Sequence, residues 1–106
     1  MEYHRLGASG LKVSRICLGT ASFGERTSAA VAARIAASAH DAGVNFIDTA
    51  DSYPQDTAPG ASERIVGRLI ARHRDTWVLA TKFSRKTNAH DPNCGGLGRK
   101  WMMQAV

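Results

Sequence analysis

The feature that most constrains this chain is a slow alternation of short apolar runs with helical stretches. The runs are Ile16-Cys17-Leu18, Val44 to Asp48, and Trp77 to Ala80. They recur about every 30 residues, the length of a strand, its crossover helix and the next strand. The segments between them have helical periodicity. Thr27 or Ser28 can cap a helix that runs to about Asp41, with Val31, Ile35 and Ala39 recurring at fours and Ala32 and Ala36 beside them. Gly43 is placed to end that helix in the left-handed conformation. Ser62 is expected to cap a second helix with Glu63 in its first turn and Ile65, Val66, Leu69 and Ile70 as its apolar face. Strands joined in this way form a parallel sheet with right-handed crossovers.

Around that repeat lie simpler elements. Glu2 to Leu6 and Lys12 to Val13 read as strands of a hairpin that turns at Gly7-Ala8-Ser9-Gly10. Ser14 to Thr20 reads as a strand buried on both faces, and Thr76 to Thr81 as the third strand of the repeat, with Trp77 in the core. Thr49 to Gly60 and Ser84 to Gly96 are loops, and Arg99 to Val106 opens a third helix whose Trp101, Met102 and Met103 give it an apolar face. Two architectures compete. An open doubly wound sheet carries a phosphate-binding GxGxxG after its first strand, and Gly19-Thr20-Ala21-Ser22-Phe23-Gly24 lacks it. A (β/α)8 barrel needs eight units and typically about 250 residues, and these 106 residues hold three units in one domain, 1–106. Periodicity alone leaves the choice open.

Composition excludes several classes of function. With 43% hydrophobic and 22% charged residues the chain is an ordinary globular protein, not a disordered one. The net charge of +5 is spread out, densest at Arg68, Arg72, His73 and Arg74, and no basic run is interleaved with aromatics. Nucleic acid is therefore not an expected partner. No apolar run approaches the roughly 20 residues that span a bilayer, and Met1 to Gly10 has no signal-peptide core, so a cytoplasmic location with no membrane contact is expected. Cys17 and Cys94 lack ligand spacing; the first is expected as a small buried hydrophobe and the second as an exposed loop thiol, and unpaired cysteines suit a reducing compartment. His4, His40 and His73 are expected to be solvated or partly packed.

Chemistry gathers at the strand ends. Asp48 ends the second strand of the repeat, Tyr53 follows in its loop, and Lys82 ends the third strand. In a parallel α/β sheet these ends share one face, where active sites lie. A free phenol, with a pKa of about 10, is a poor proton donor to a carbonyl at neutral pH. A nearby ammonium favours the phenolate and lowers that pKa, and a carboxylate keeps the ammonium charged and in place. Such a trio can protonate a carbonyl oxygen as hydride reaches the carbon. Taken singly, each has a plainer reading: a strand-end cap, a surface contact and a solvated charge.

The surrounding motifs carry a resemblance. Asp48-Thr49-Ala50 with Tyr53, Ser62-Glu63 with Gly67, and Ala80-Thr81-Lys82 stand in the order found in the aldo-keto reductase superfamily. Tyr3 to Gly10, Leu18-Gly19-Thr20, Phe23-Gly24 and the stretch from Asn93 to Met102 also resemble it, closest to the bacterial-type branch that resembles potassium-channel β-subunits. The resemblance implies the N-terminal portion of a TIM (β/α)8 barrel: a hairpin and about three βα units, with the barrel not closed. It implies an oxidoreductase that uses NADP(H), with NAD(H) as the other candidate, to reduce a small carbonyl substrate. Tyr53 would be the general acid, Lys82 would tune it, and Asp48 would hold Lys82 and contact the nicotinamide ribose. Thr20 and Ala21 match positions that line the nicotinamide end of the cofactor.

The chain also departs from the family. The fourth catalytic residue is a histidine after the fourth strand, and His90 does not match it; nor does the chain contain the family's adenosine-phosphate contacts. Gly98 stands where a capping serine is common, and the loop from Pro54 to Gly60 resembles the longer form found in some members. The expectation is a truncated member with low or no activity alone. The alternative is a non-catalytic module that self-associates through its open sheet edges or binds a partner chain.

Overall fold

The hairpin forms as the turn residues predict. In the computed structural model of the protein, which describes residues 1–55 and 57–106, β1 (Tyr3–Arg5) and β2 (Lys12–Ser14) pair antiparallel, Tyr3 opposite Ser14 and Arg5 opposite Lys12. Asp56, within the Pro54 to Gly60 loop, lies outside the described residues. The remaining elements are β3 (Leu18–Gly19), α1 (Ala29–Asp41), β4 (Phe46–Asp48), α2 (Ala61–Ile70), a 3-10 segment (Ala71–Thr76), β5 (Val78–Ala80) and α3 (Arg99–Ala105). The three later strands form a parallel sheet in the order β3-β4-β5, with Gly19 opposite Asp48 and Asp48 opposite Ala80. The sheet is not closed among the described residues, and β3 and β5 are its two edges.

Both caps of α1 follow from sequence. The Ser28 hydroxyl accepts the Val31 N–H at 3.3 Å. At the other end Gly43, at a φ of 85°, lets its own N–H reach His40 O at 2.8 Å and the Val44 N–H reach Ala39 O at 2.9 Å. These two bonds are a Schellman closure, which needs the left-handed conformation that glycine adopts without steric cost. The buried stripe differs from the expected one. Ala32 and Ala36 face the sheet, whereas Val31 and Ile35 stay 38% and 40% exposed on the helix flank. Alanine lets α1 approach the sheet closely, and the larger side chains fall outside that contact.

The core lies between the helices and one face of the sheet. Phe23, Ala32, Val44, Ile47, Val66, Ile70 and Trp77 form it, with Leu18, Ala39, Ile65, Leu69 and Leu79 packed around them. Side chains alternate along a strand, so Ile47 points into this layer at 1% exposure while its neighbours Phe46 and Asp48 stand on the opposite face, half-buried. Burying one such isoleucine contributes about 1.5–3 kcal/mol.

The opposite face explains a correction. Ile16-Cys17-Leu18 is not a strand buried on both sides: Leu18 packs on the core, but Ile16 is 60% exposed and Cys17 is exposed. Among the described residues, only one side of the sheet has helices over it. Two boundaries also shift. Thr76 belongs to the 3-10 segment, and β5 starts at Val78. Ser62 does not cap α2, because Gly60 occupies the cap position and Ser62 lies one residue inside the helix. Asn45 locks the hairpin to the sheet: its side chain accepts the Ser14 N–H at 2.8 Å and donates to Lys12 O at 3.0 Å, and its carbonyl accepts the Val78 N–H at 2.7 Å. No helix among the described residues is long and apolar enough to cross a membrane.

Candidate active site

Backbone pairing continues past the strands and builds one end of the sheet into a platform. The Thr20 N–H donates to Asp48 O at 3.1 Å, Thr49 N–H to Ala80 O at 2.9 Å, and Asp51 N–H to Lys82 O at 3.0 Å. The segment from Asp48 to Asp51 is thereby held between the ends of β3 and β5. Tyr53 is fixed next, its N–H on Ala50 O and its carbonyl accepting the Ser62 N–H, both at 3.1 Å. Beneath the platform the fully buried Ser62 hydroxyl lies 2.9 Å from Thr20 O, 2.8 Å from Thr20 Oγ1 and 3.2 Å from Thr49 Oγ1. Ser62 therefore pins three segments together and does not serve as a cap. Glu63, next in α2, accepts a short hydrogen bond from the Thr81 hydroxyl.

On this platform Asp48, Tyr53 and Lys82 come together. Lys82 Nζ donates to Asp48 Oδ1 and Oδ2, both at 2.7 Å, and to Thr49 O at 2.9 Å. It also lies 5.1 Å from the centroid of the Tyr53 ring, within the range of an attractive cation–π contact. Partial desolvation by itself would lower the Lys82 pKa, but the hydrogen bonds and charge of Asp48, with a further contribution from Tyr53, outweigh it and hold the ammonium above the usual lysine value. The Cys17 thiol shares this side of the sheet. Partial burial pushes it up, the Asp48 carboxylate adds to the rise, and Lys82 opposes it. Asp51 is also raised, first by burial and then by Glu63, against the Ser52 N–H, and its Oδ2 has no hydrogen-bond partner.

Tyr53 and Lys82 line a cleft of about 250 Å³ whose walls include Asp51, Ser52, Gln55 and Arg85. Of the two expected cofactor-contact positions, Thr20 is fully buried and its hydroxyl donates to Asp48 O at 3.0 Å, whereas Ala21 is exposed. His90 lies exposed in the loop between β5 and α3, its N–H on Asn88 Oδ1. His40 lies 5.2 Å from Trp77 and 5.5 Å from His73, ring to ring, and its Nε2 is 3.0 Å from the Thr76 hydroxyl. Cys94 reverses its expectation: it is 5% exposed, 3.2 Å from the Asn88 N–H and 3.4 Å from Thr87 Oγ1. Burial alone would raise this thiol, but those hydrogen bonds hold it below the usual value. Sequence reasoning missed Gln55 and Arg85, because a polar loop has no period from which to place a side chain. It found Ser62 but misread its role, since a buried hydroxyl in a first turn looks the same in sequence as a cap.

Chemically the cluster is a phenol against an ammonium that is itself held by a carboxylate, open to an accessible cleft. Such a set can deliver a proton to an oxygen bound beside the phenol.

Comparison with known proteins is consistent with this geometry. A family model described as the Aldo/keto reductase family matches residues 15–106. The uncharacterized oxidoreductase YrpG of Bacillus subtilis (strain 168) is 44% identical over 98 residues, covering 90% of this chain and 29% of YrpG. Protein Tas of Escherichia coli (strain K12) is 38% identical over 96 residues, covering 86% of this chain and 28% of Tas. Among solved structures, the holo form of the aldo-keto reductase AKR11C1 from Bacillus halodurans superposes with a TM-score of 0.81 at 30% identity, covering 98% of this chain and 33% of that one. The chain thus spans under a third of the curated relatives it matches, and its hairpin and partial parallel sheet correspond to the N-terminal portion of a (β/α)8 barrel.

Proposed function

The chain belongs to the aldo/keto reductase family, and from that membership we propose that its cleft is the proton-donating half of a nicotinamide-dependent carbonyl reductase site. The observation that carries this reading is the position of Lys82 Nζ, 2.7 Å from both Asp48 oxygens and 5.1 Å from the centroid of the Tyr53 ring. Tyr53 is the general acid and gives its proton to the carbonyl oxygen of an aldehyde or ketone. Lys82 stays charged because Asp48 holds it, and its positive charge favours the phenolate left behind. Asp48 holds Lys82 in place, with Thr49 O as the third anchor.

The residues on the other side of Asp48 fit a nicotinamide cofactor. The Asp48 carboxylate is 36% exposed and can accept a ribose hydroxyl. Gly19 and Ala21 are exposed, and a Cβ at Gly19 would meet nothing within 4 Å, which leaves room for a flat ring at the end of the sheet. When bound, the cofactor supplies the hydride, and the family resemblance favours NADP(H) over NAD(H). Thr20, being buried, supports this floor from below, and Ala21 is the position that a ligand can touch.

The test is aldehyde-dependent loss of NADPH absorbance with 4-nitrobenzaldehyde, measured on the 106-residue chain and its Tyr53→Phe variant. The family's histidine is not among these residues, so the rate is expected to be low. Removing the phenol should cut whatever rate remains by about 100-fold or more. A rate untouched by Tyr53→Phe would remove the phenol from the mechanism.

A second reading, association with another chain, draws on a separate observation: the sheet face that carries Cys17, Phe46, Val78 and Ala80 has no helix over it, and β3 and β5 are free edges among the described residues. Under this reading the chain completes its sheet with a partner surface and has no turnover of its own.

A further inference from the structure

The loop that follows Lys82 is built to hold one cation at the mouth of the cleft. Ser84 has a φ of 141°, a conformation that a non-glycine residue keeps only where its surroundings enforce it. The enforcement comes from the returning half of the loop. The Gly96 N–H donates to Ser84 O at 2.7 Å. Gly95 lies flat on the backbone of Lys86: a Cβ there would sit 3.1 Å from both Lys86 N and Lys86 Cα and 3.2 Å from Ser84 O. No side chain other than that of glycine fits without moving backbone, so Ser84 to Lys86 is buttressed from behind. From the front, the Gln55 amide faces Arg85; assigned by hydrogen-bond chemistry with its oxygen on that side, it accepts from Nη1 at 2.6 Å and from Nη2 at 3.0 Å. Gln55 lies two residues after Tyr53, so the contact ties Arg85 to the loop that carries the phenol.

Arg85 is thereby placed in a shared wall. On one side is the cleft of Tyr53 and Lys82, and on the other an adjoining hollow of about 300 Å³ lined by Ser52, Gln55, Pro59, Arg85, Lys86 and Thr87. That hollow offers two cations, two hydroxyls and an amide, and no carboxylate among the described residues. Within the cleft, the Asp48 carboxylate is taken by Lys82, and Asp51 keeps one oxygen buried beside Glu63. The guanidinium therefore faces a neutral amide, and among the described residues no carboxylate pairs with its charge. Its planar fork of donors suits a carboxylate better than any neutral group.

We propose that Arg85, supported by Lys86, binds a carboxylate on the carbonyl substrate, so that the site prefers aldehydo or keto acids to neutral carbonyl compounds. The inference rests on the reductase reading above. It is tested by titrating the 106-residue chain with 4-carboxybenzaldehyde and with its neutral isostere 4-nitrobenzaldehyde, following backbone amides by NMR, with NADPH oxidation measured alongside. The expected result is binding of the carboxylated aldehyde at least roughly tenfold tighter, with shifts at Gln55 and from Ser84 to Thr87. Arg85→Gln should bring the ratio near one, and Arg85→Lys should keep part of it. Equal affinity overturns the proposal, as does a preference that survives Arg85→Gln in a variant with a dispersed amide spectrum. If that variant does not fold, the wild-type ratio and shift map decide. NADP+ shifting the same amides and displacing the carboxylate would assign the anion to the cofactor, and the proposal would fail. Selective binding supports the anion site with or without NADPH oxidation, because the chain is expected to turn over slowly or not at all; turnover without selectivity supports the reductase reading and overturns the anion site.

Discussion

Lys82 makes three hydrogen bonds and a ring contact, and each favours its charged form. Because its pKa is raised in the folded state, folding tightens its proton. The stabilisation is fully present below the ordinary lysine value of 10.5 and is lost as pH rises through the higher folded value. Lys82 and Asp48 are 50% and 36% exposed, so solvent screening keeps the pair to about 1 kcal/mol or less. The urea midpoint of the wild type should therefore fall more steeply above pH 10.5 than that of Asp48→Asn; parallel profiles would mean that the pair adds nothing to stability. At this scale the sequence was informative where position is dictated by topology. Asp48 ends β4 and Lys82 lies two residues past the end of the adjacent parallel strand β5, which brings them to one edge of the sheet. It was uninformative where position depends on loop conformation. Arg85 faces the cleft only because Gly95 and Gly96 close behind it, and Cys94 is buried only because the same loop folds over it.

The second helix is joined to the sheet by Ser62 as much as by its apolar face. Val66 and Ile70, at 1% and 2% exposure, bury its core side, but they leave its first turn free to slide. The Ser62 hydroxyl, among Thr20 O, Thr20 Oγ1 and Thr49 Oγ1, fixes that turn against β3 and the segment after β4. Ser62→Ala should leave those buried acceptors underserved and cost about 1–3 kcal/mol, read as a lower urea midpoint with an unchanged slope. A loss within about 0.5 kcal/mol, the range of a neutral surface change, would reduce the hydroxyl to a bystander. Element types and their order were readable from period and punctuation: Gly43 stops α1 by a mechanism that only its φ allows, and the apolar face of α2 is the one its spacing gives. Contact faces were less readable. Period places Val31 and Ile35 on the stripe with Ala32 and Ala36, but the helix approaches the sheet along the alanines, and a one-dimensional pattern does not encode that choice.

The whole molecule is a two-layer slab, 44 by 35 by 20 Å, with helices on one side of a three-stranded sheet. A parallel sheet is ordinarily covered on both faces, and here the second face is open among the described residues. Ile16 at 60% exposure stands just before the edge strand β3, with Cys17, Phe46, Val78 and Ala80 on the uncovered side. Apolar surface beside an unpaired strand edge is a template for association. The 106-residue chain, 11.4 kDa as a monomer, should show a weight-average mass that climbs with concentration in sedimentation equilibrium. Ile16→Lys should shift it back toward the monomer. The side chain is mostly exposed already, so little burial is lost and folding stability should stay within about 0.5 kcal/mol, while a lysine beside the edge opposes a second strand. A mass that holds at 11.4 kDa over the accessible range would show that this face does not drive self-association. A mass that climbs equally in Ile16→Lys would move the contact to the other apolar exposure, Leu97 and Met103 at 77% and 67%, beside and on α3.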